Sequence, residues 1–392
     1  MSILPHLASH NDCTGCTACV SSCPIKCIIM KTDKEGFLQP VVNSQYCVDC
    51  KICEKSCPVI HSMALNEYKT KAYAAYSLNT KLRECSSSGG IFSELAYAIL
   101  DMGGVVYGAA YSEDFSVKHI CIDSKNHISK LQGAKYVQSE LGDCFSEILK
   151  KLQKKQIVLF SGTPCQVAGL KQFLNKPYES LFCVDFICHS VPSPMAWMEY
   201  VKYRAKIDNN GKNPIWINLR SKHTGWSRFQ YSNIYKYSDD KKYVSINSKD
   251  LFMKLFVSNS ISRLSCEHCH FKGYNRVSDI TLGDFWGIWD VAPEMDDNKG
   301  TSAVLIHTDK GKKLMNRILK EIKILPVKLD QVSEKNPSIL YSSILNNNRS
   351  EVFDYIRADK MEKIVDLLHT NSTEKKSFIN LIKIKARNIF HR

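Results

Sequence analysis

From about residue 70 onward, apolar runs alternate with amphipathic stretches, the pattern of a chain that threads strands and helices in turn. Ala72 to Ser77 and Val105 to Tyr111 read as strands. Between them Ile91, Phe92, Leu95, Ala96, Ile99 and Leu100 share one helical face, and Gly103 with Gly104 stops the helix. This predicts a strand-helix-strand unit. The run from Ile157 to Phe160, a helix from about Cys165 to Leu174, the run from Leu181 to Cys188 and a helix starting near Ser193 continue the pattern and predict further parallel pairing. From Ile215 to Ile246 aromatic and β-branched residues alternate with polar ones, which predicts an antiparallel insertion. Asp279 to Phe285 and Ala303 to His307 then resume strand-like runs. Residues from about 330 are polar and helical in pattern. The last stretch, Lys375 to Arg392, sets Phe378, Leu381, Ile382 and Ile389 against Lys376, Lys383, Lys385 and Arg387, predicting a basic amphipathic helix suited to an acidic partner or an anionic surface.

The first 65 residues follow a different rule. Cys13, Cys16, Cys19 and Cys23 recur as Cys47, Cys50, Cys53 and Cys57, so each cysteine has its counterpart 34 positions on. Both copies read Cys-x2-Cys-x2-Cys-x3-Cys-Pro, the spacing of bacterial two-cluster ferredoxins, in which the fourth cysteine of each run serves the other cluster. Three thiolates spaced this closely wrap one cubane from a tight loop, and the fourth lies across a pseudo-twofold axis. The spacing therefore assigns Cys13, Cys16, Cys19 and Cys57 to one 4Fe-4S cluster, and Cys47, Cys50, Cys53 and Cys23 to a second. Zinc also accepts four thiolates, but zinc knuckles pair two Cys-x-x-Cys units instead of running four cysteines in each. Cys27 stands outside the pattern and reads as a buried thiol. Single-electron transfer is the chemistry that follows.

Composition narrows the setting. The chain has 392 residues, enough for two or three units, and 17 cysteines. The opening residues lack a basic-then-apolar leader, and no segment approaches the roughly 18 apolar residues that span a bilayer. The expectation is a cytoplasmic protein without a transmembrane segment, whose cysteines serve metal, not disulfides. A formal net charge of +14 is spread along the chain with no nucleic-acid-binding motif, so an acidic partner or anionic cofactor is the expected complement.

Four further cysteines occur downstream: Cys165 in Gly162-Thr163-Pro164-Cys165-Gln166, Cys188 in Ile187-Cys188-His189, and the pair Cys266 and Cys269. The pair alone fits a zinc half-site or a redox dithiol, and Cys165 alone fits a core position. Cys165 and Cys188 each follow an apolar run, so parallel strands would bring them to one sheet edge, where a loop carrying Cys266 and Cys269 closes a four-thiolate cage.

These segments, with Ser86-Ser87-Ser88-Gly89-Gly90, Gly133-Ala134-Lys135-Tyr136-Val137-Gln138, Cys266-Glu267-His268-Cys269 and the run Asp279-Ile280-Thr281-Leu282-Gly283-Asp284-Phe285-Trp286-Gly287, resemble the family of coenzyme F420 hydrogenase and dehydrogenase beta subunits. The version resembled carries an N-terminal two-cluster ferredoxin domain, and the match runs in order from residue 13 to about 311. Asn218-Leu219-Arg220-Ser221-Lys222 with Gly225-Trp226 looks like a bacterial branch of the family. The resemblance implies FAD and a third 4Fe-4S cluster in the α/β domain, with Cys165, Cys188, Cys266 and Cys269 as its ligands. It also implies hydride exchange with a small molecule, which in the best-known relatives is a deazaflavin coenzyme.

A flavin suits the chemistry, because it links one-electron clusters to two-electron substrates. There is no Gly-x-Gly-x-x-Gly run. With the resemblance, the turn Ser87-Ser88-Gly89-Gly90 precedes a helix whose N-terminus would receive a pyrophosphate, with Lys135 as counter-charge and Thr163 as a further contact; on the residues alone, a plain capped helix and a solvated Lys135 are the alternatives. Asp284 and His189 are candidates for proton relay, or else a helix cap and a hydrogen-bonded histidine. The fold class expected is α+β / α/β: a ferredoxin-like domain over residues 1–65, an α/β flavin-binding domain with an antiparallel insertion over 70–330, and a C-terminal helical extension over 331–392. The function expected is an iron-sulfur flavoprotein oxidoreductase working with a redox partner protein or a small-molecule hydride donor or acceptor. The alternative is an electron-delivery module that docks on a partner enzyme without substrate chemistry of its own.

Overall fold

The computed structural model describes residues 5–63, 68–227 and 230–368. The basic helix expected over Lys375 to Arg392 lies outside the described residues. Near the N-terminus, β1 (Ile28–Thr32) and β2 (Leu38–Val42) form an antiparallel hairpin beside two short helices, Ala18–Ser22 and Ile52–Lys55. These helices occupy equivalent places in the two cysteine repeats, so the N-terminal region is ferredoxin-like in both spacing and local structure.

The rest is built on one mixed sheet of eight strands. In chain order these are β3 (Lys71–Ser77), β4 (Val105–Tyr111), β5 (Val117–Ile122), β6 (Val158–Ser161), β7 (Leu181–Phe186), then β11 (Ile280–Asp284), β12 (Ser302–Ile306) and β13 (Ile322–Val327). Between β7 and β11 a separate antiparallel sheet holds β8 (Trp216–Ser221), β9 (Ser232–Lys236) and β10 (Lys242–Ile246), at the place where alternation predicted an insertion. The large sheet runs β13-β3-β12-β11-β7-β6-β4-β5. Strands β4, β6, β7 and β11 are parallel, and β3 points the same way because two antiparallel steps separate it from β11.

The expected strand-helix-strand unit of β3 and β4 needs correction. The two strands share a direction, but β12, β11, β7 and β6 stand between them. The helix Ile91–Asp101 crosses the sheet face on the way, packing on β3, β6 and β4. Hydrophobic periodicity sets a strand's buried face and the helical crossover its direction, whereas later chain segments supply the intervening strands. β5 and β13 were not anticipated. Both are edge strands, and the sequence of β13 contains Pro326, tolerated there because an edge strand need not donate every ladder bond.

Helices cover both faces. Ile91, Leu95, Ala96 and Ile99 pack with Val106, Leu159, Val184 and Val304 on one face, and Phe145, Ile148, Val167 and Leu170 with Val105, Val158 and Cys183 on the other. The segment expected to be a polar extension is partly core: Val352, Phe353 and Ile356 of the helix Arg349–Arg357 are buried with Phe37 of the N-terminal region and Trp197. Among the described residues no helix is long and apolar enough to cross a membrane.

Candidate functional site

Backbone geometry explains how each repeat wraps its thiols. Gly15 and Thr17 in the first copy, and Asp49 and Lys51 in the second, all have positive φ, so equivalent residues 34 apart make the same left-handed loop. That conformation costs about 1 kcal/mol or more for a non-glycine residue and persists where the surroundings over-determine it. Each loop runs directly into its short helix, bringing three cysteines to one side.

Three small cavities are each bordered by one of the cysteine sets. Cys13, Cys16, Cys19 and Cys57 border the first. Cys23, Cys47, Cys50 and Cys53 border the second, together with Cys27, whose sulfur lies 3.5 Å from that of Cys23. Cys165, Cys188, Cys266 and Cys269 border the third. None of the 17 cysteines is in a disulfide. Among the described residues no three His, Cys, Asp or Glu side chains gather around a point suited to a single ion. A lone zinc needs its sulfurs about 2.3 Å from one centre, whereas a cubane spreads them over four corners. Burial pushes the Cys16 and Cys266 thiols up to about 12 and Cys165 to about 11, and raises Cys19 and Cys188 as well. Thiolates are the ligating form, so positively charged iron is the natural counter-charge for such buried donors. An all-sulfur donor set around a cavity thus fits an iron-sulfur cluster.

The third set comes from three distant stretches of chain. Cys165 stands in the first turn of the helix Pro164–Leu174, which Thr163 and Gln166 open with a reciprocal capping box. Cys188 follows β7, and Cys266 ends a short 3-10 turn. Three cationic side chains, Arg263, Lys272 and Arg276, border the same cavity. Lys272 donates to the carbonyls of Cys188 at 2.6 Å and Ser338 at 3.0 Å. Arg263 is fully buried and bonds the carbonyls of Cys13 at 2.6 Å and Leu38 at 2.9 Å and the side chain of Gln138 at 3.0 Å. It thereby ties the first ferredoxin loop to the third cysteine set. His189 meets Ser338 at 3.3 Å and packs edge-on against Phe256, so it is a hydrogen-bonded histidine.

Toward the C-terminal ends of β4, β6, β7 and β11 the structure opens a cleft of about 320 Å³. Such an edge is where α/β sheets bind ligands, and the volume lies within the small-molecule range of about 300–1,000 Å³. Ser87, Ser88, Gly90, Lys135 and Thr163 line it. Gly89 does not: an added Cβ there would stand 2.5 Å from the Ala75 carbonyl and 2.8 Å from the Ser302 nitrogen, so this residue forms the back of the turn. Gly90 has φ of 87° and offers no side-chain cap, leaving the first N–H groups of the helix Ile91–Asp101 for a ligand. The carbonyls of the turn are held from behind, Ser87 by the Trp226 indole at 3.2 Å and Ser88 by Lys222 at 2.6 Å. Lys135 turns its ammonium onto the carbonyls of Lys130 and Gln132, and burial pushes its pKa down to about 7. Asp284, on the cleft wall, caps no helix; it is paired with the buried Arg220 at 3.0 Å, and Arg220 also lies over the Tyr231 ring. Cys165 borders both the cleft and the third cysteine cavity. An unsatisfied helix N-terminus in a largely apolar cleft is a suitable seat for a flavin diphosphate.

Several residues at this site escaped the sequence reading. Tyr136 and Gln138 belong to a segment singled out as a motif, as do Arg220 and Lys222, so their neighbourhood was visible but not their contacts. Arg263 carried one weak signal, its place three residues before Cys266. Nothing in the sequence pairs it with Cys13, 250 positions away.

The chain is similar to several known proteins. The family profile for coenzyme F420 hydrogenase/dehydrogenase, beta subunit N-term, matches residues 72–145, and the companion profile for the C terminus of that beta subunit matches residues 155–331. A 4Fe-4S dicluster domain profile matches residues 12–60. A curated relative, the F subunit of F(420)H(2) dehydrogenase from Methanosarcina mazei, is 21% identical over 333 residues, covering 82% of this chain and 86% of its own. A chain in a structure of the F420-reducing [NiFe] hydrogenase complex from Methanosarcina barkeri covers 77% of this chain and 92% of its own at 15% identity, with a TM-score of 0.47. The two beta subunit profiles together span more than half of the sequence and the dicluster profile the ferredoxin repeat, so this chain is a 4Fe-4S iron-sulfur protein and belongs to the family of coenzyme F420 hydrogenase/dehydrogenase beta subunits.

Proposed function

We propose that the chain is an iron-sulfur flavoprotein oxidoreductase with three 4Fe-4S clusters and FAD. In this reading Cys13, Cys16, Cys19 and Cys57 hold the first cluster, Cys23, Cys47, Cys50 and Cys53 the second, and Cys165, Cys188, Cys266 and Cys269 the third. Ser87, Ser88, Gly90, Lys135 and Thr163 seat the flavin diphosphate, with Gly89 shaping the turn from behind. When bound, the clusters supply single electrons and the flavin supplies two-electron hydride chemistry. The observation that carries the reading is the shared wall: Cys165 borders both the cleft and the third cysteine cavity, while Arg263 links that cavity to the first ferredoxin loop.

The curated relative is named for reduced coenzyme F420, which makes a reduced deazaflavin the first hydride donor to test. That relative is also named as one subunit among others, and this supports assembly with a redox partner as part of the function. It equally supports the second reading, an electron-delivery module without its own substrate chemistry. Anaerobic purification followed by iron, sulfide and flavin analysis tests the proposal, with about 12 iron atoms expected per chain for three four-iron clusters. Cys188→Ala should remove about a third of that iron and uncouple ferredoxin-cluster reduction from flavin reduction. Ser88 replaced by a bulky residue should cost FAD and spare the iron. Full iron without flavin would leave the delivery module as the better account.

A further inference from the structure

The second cysteine lobe carries a surface that the enzyme reading leaves without a role. A shallow groove is bordered by Ile25, Lys26, Ile29, Lys31, Val41 and Tyr46. Ile29 and Val41 face each other across the β1-β2 ladder and are 52% and 40% exposed, and Tyr46 is 67% exposed. Seven of the 18 exposed large apolar side chains among the described residues fall between Ile25 and Ile60. Four of them, Ile25, Ile29, Val41 and Tyr46, border this one groove, and a contiguous exposed apolar patch marks an interaction site. Its charge has one sign: two lysines border the groove and no carboxylate does. Lys51 nearby is already engaged by Asp49 and Glu54, so those acids do not offset the groove lysines. Ile25 and Cys27 border both this groove and the cavity of Cys23, Cys47, Cys50 and Cys53. A molecule seated in the groove is separated from that cavity by a single layer of side chains.

We propose that this groove is the docking site for an acidic one-electron carrier protein, which exchanges electrons with the second cluster. The inference rests on the reading that Cys23, Cys47, Cys50 and Cys53 hold a cluster. One electron leaves the reduced carrier, oxidising it by one, and reduces the cluster by one; the reverse step balances in the same way and no proton is needed. The apolar centre supplies contact area, and Lys26 and Lys31 steer an acidic rim and set the orientation.

The test uses the full anaerobically purified chain and, as probe, a two-cluster ferredoxin of strongly negative net charge. Binding of the oxidised probe is measured by calorimetry across a salt series, and electron transfer by stopped-flow bleaching of the chain's clusters. Ile29→Glu with Val41→Glu should weaken binding at least tenfold and slow bleaching by the reduced probe to match, with iron content and dithionite-reducible absorbance kept. Lys26→Glu with Lys31→Glu should abolish the salt dependence. Parental affinity and rate in both double variants would overturn the proposal, as would a basic carrier binding as well as the acidic one. Two other occupants are excluded by the same material. Failure of the probe to bind the chain with residues 369–392 deleted, while that segment added as a peptide binds it and is lost in the Ile29→Glu, Val41→Glu variant, would assign the groove to that segment, and a dimer lost in the same variant would assign it to a second copy; either overturns the proposal. Iron analysis of the parent keeps this separate from the cluster reading, because absent iron sinks that reading while calorimetry still reports on the surface.

Discussion

The two cysteine lobes of the N-terminal region share spacing, loop conformation and helix placement, yet they sit in opposite environments. Cys13 and Cys16 of the first are under 10% exposed, and Cys16 packs against the helix Pro164–Leu174 at Gly169, where an added Cβ would stand 2.8 Å from its sulfur. Around the second, Cys50 is exposed and Tyr46 and Val48 are about two-thirds exposed. The hairpin joining them is similarly polarised: its turn enters the body, with Phe37 buried and Glu35 paired with the buried Arg349 at 2.8 Å, while its open end faces outward. A duplicated motif thus acquires an inner and an outer copy because only one docks on the sheet domain. The difference gives the region a direction, from the surface through the first lobe toward Arg263 and the third cysteine set.

The sharpest attempt to break this contrast is Arg349→Met. It leaves Glu35 buried without its partner, and breaking a buried pair costs about 3–5 kcal/mol. Denaturant unfolding should register that loss, and the hairpin turn should lose its anchorage; a change within about 0.5 kcal/mol would mean the turn is not clasped. Gly169→Val should follow at about 1–3 kcal/mol from overpacking against Cys16, accompanied by loss of iron from the first lobe and not the second. Spectroscopy of the remaining clusters together with iron analysis distinguishes this from general unfolding.

Exposure makes a kinetic prediction of smaller size. Under a chelator with a thiol-alkylating reagent, Cys47 and Cys50 should be modified several-fold faster than Cys13 and Cys16, read by mass spectrometry at successive times. Equal rates would erase the distinction between inner and outer copies. Smallest of all, Ile52→Ser on the exposed side of the second lobe should change stability by no more than about 0.5 kcal/mol, since a side chain 43% exposed has little packing to lose. A thermal melt that falls as far as for Gly169→Val would show the outer lobe to be covered.

How much was legible follows from range. The cysteine runs, the 34-residue duplication and the loop that Gly15 and Thr17 share with Asp49 and Lys51 are local matters of spacing and backbone sterics. So are the helix face of Ile91, Leu95 and Ile99 and the alternation that announced β8 to β10, whereas the cap at Thr163 emerged only in the structure. Strand adjacency was not local: β3 and β4 bracket a helix in sequence, yet four strands part them, because edge-to-edge ladder pairing joins segments far apart in the chain. Gly89 and Gly90 looked equivalent as a pair, but the backbone turn puts one behind and one in front.

By itself the sequence determined the repeated cysteine spacing of the N-terminal region, the alternation of strands and helices, and the resemblance that named the family, since each is written in short spacings. The tertiary structure alone decided which lobe is buried and that Arg263 spans from Cys13 to the third cysteine set. It also decided that Asp284 is held by Arg220, and that Cys165 faces both the cleft and the cage. Those contacts join residues up to 250 positions apart, and their partners are chosen by how whole faces pack, a property no local pattern encodes.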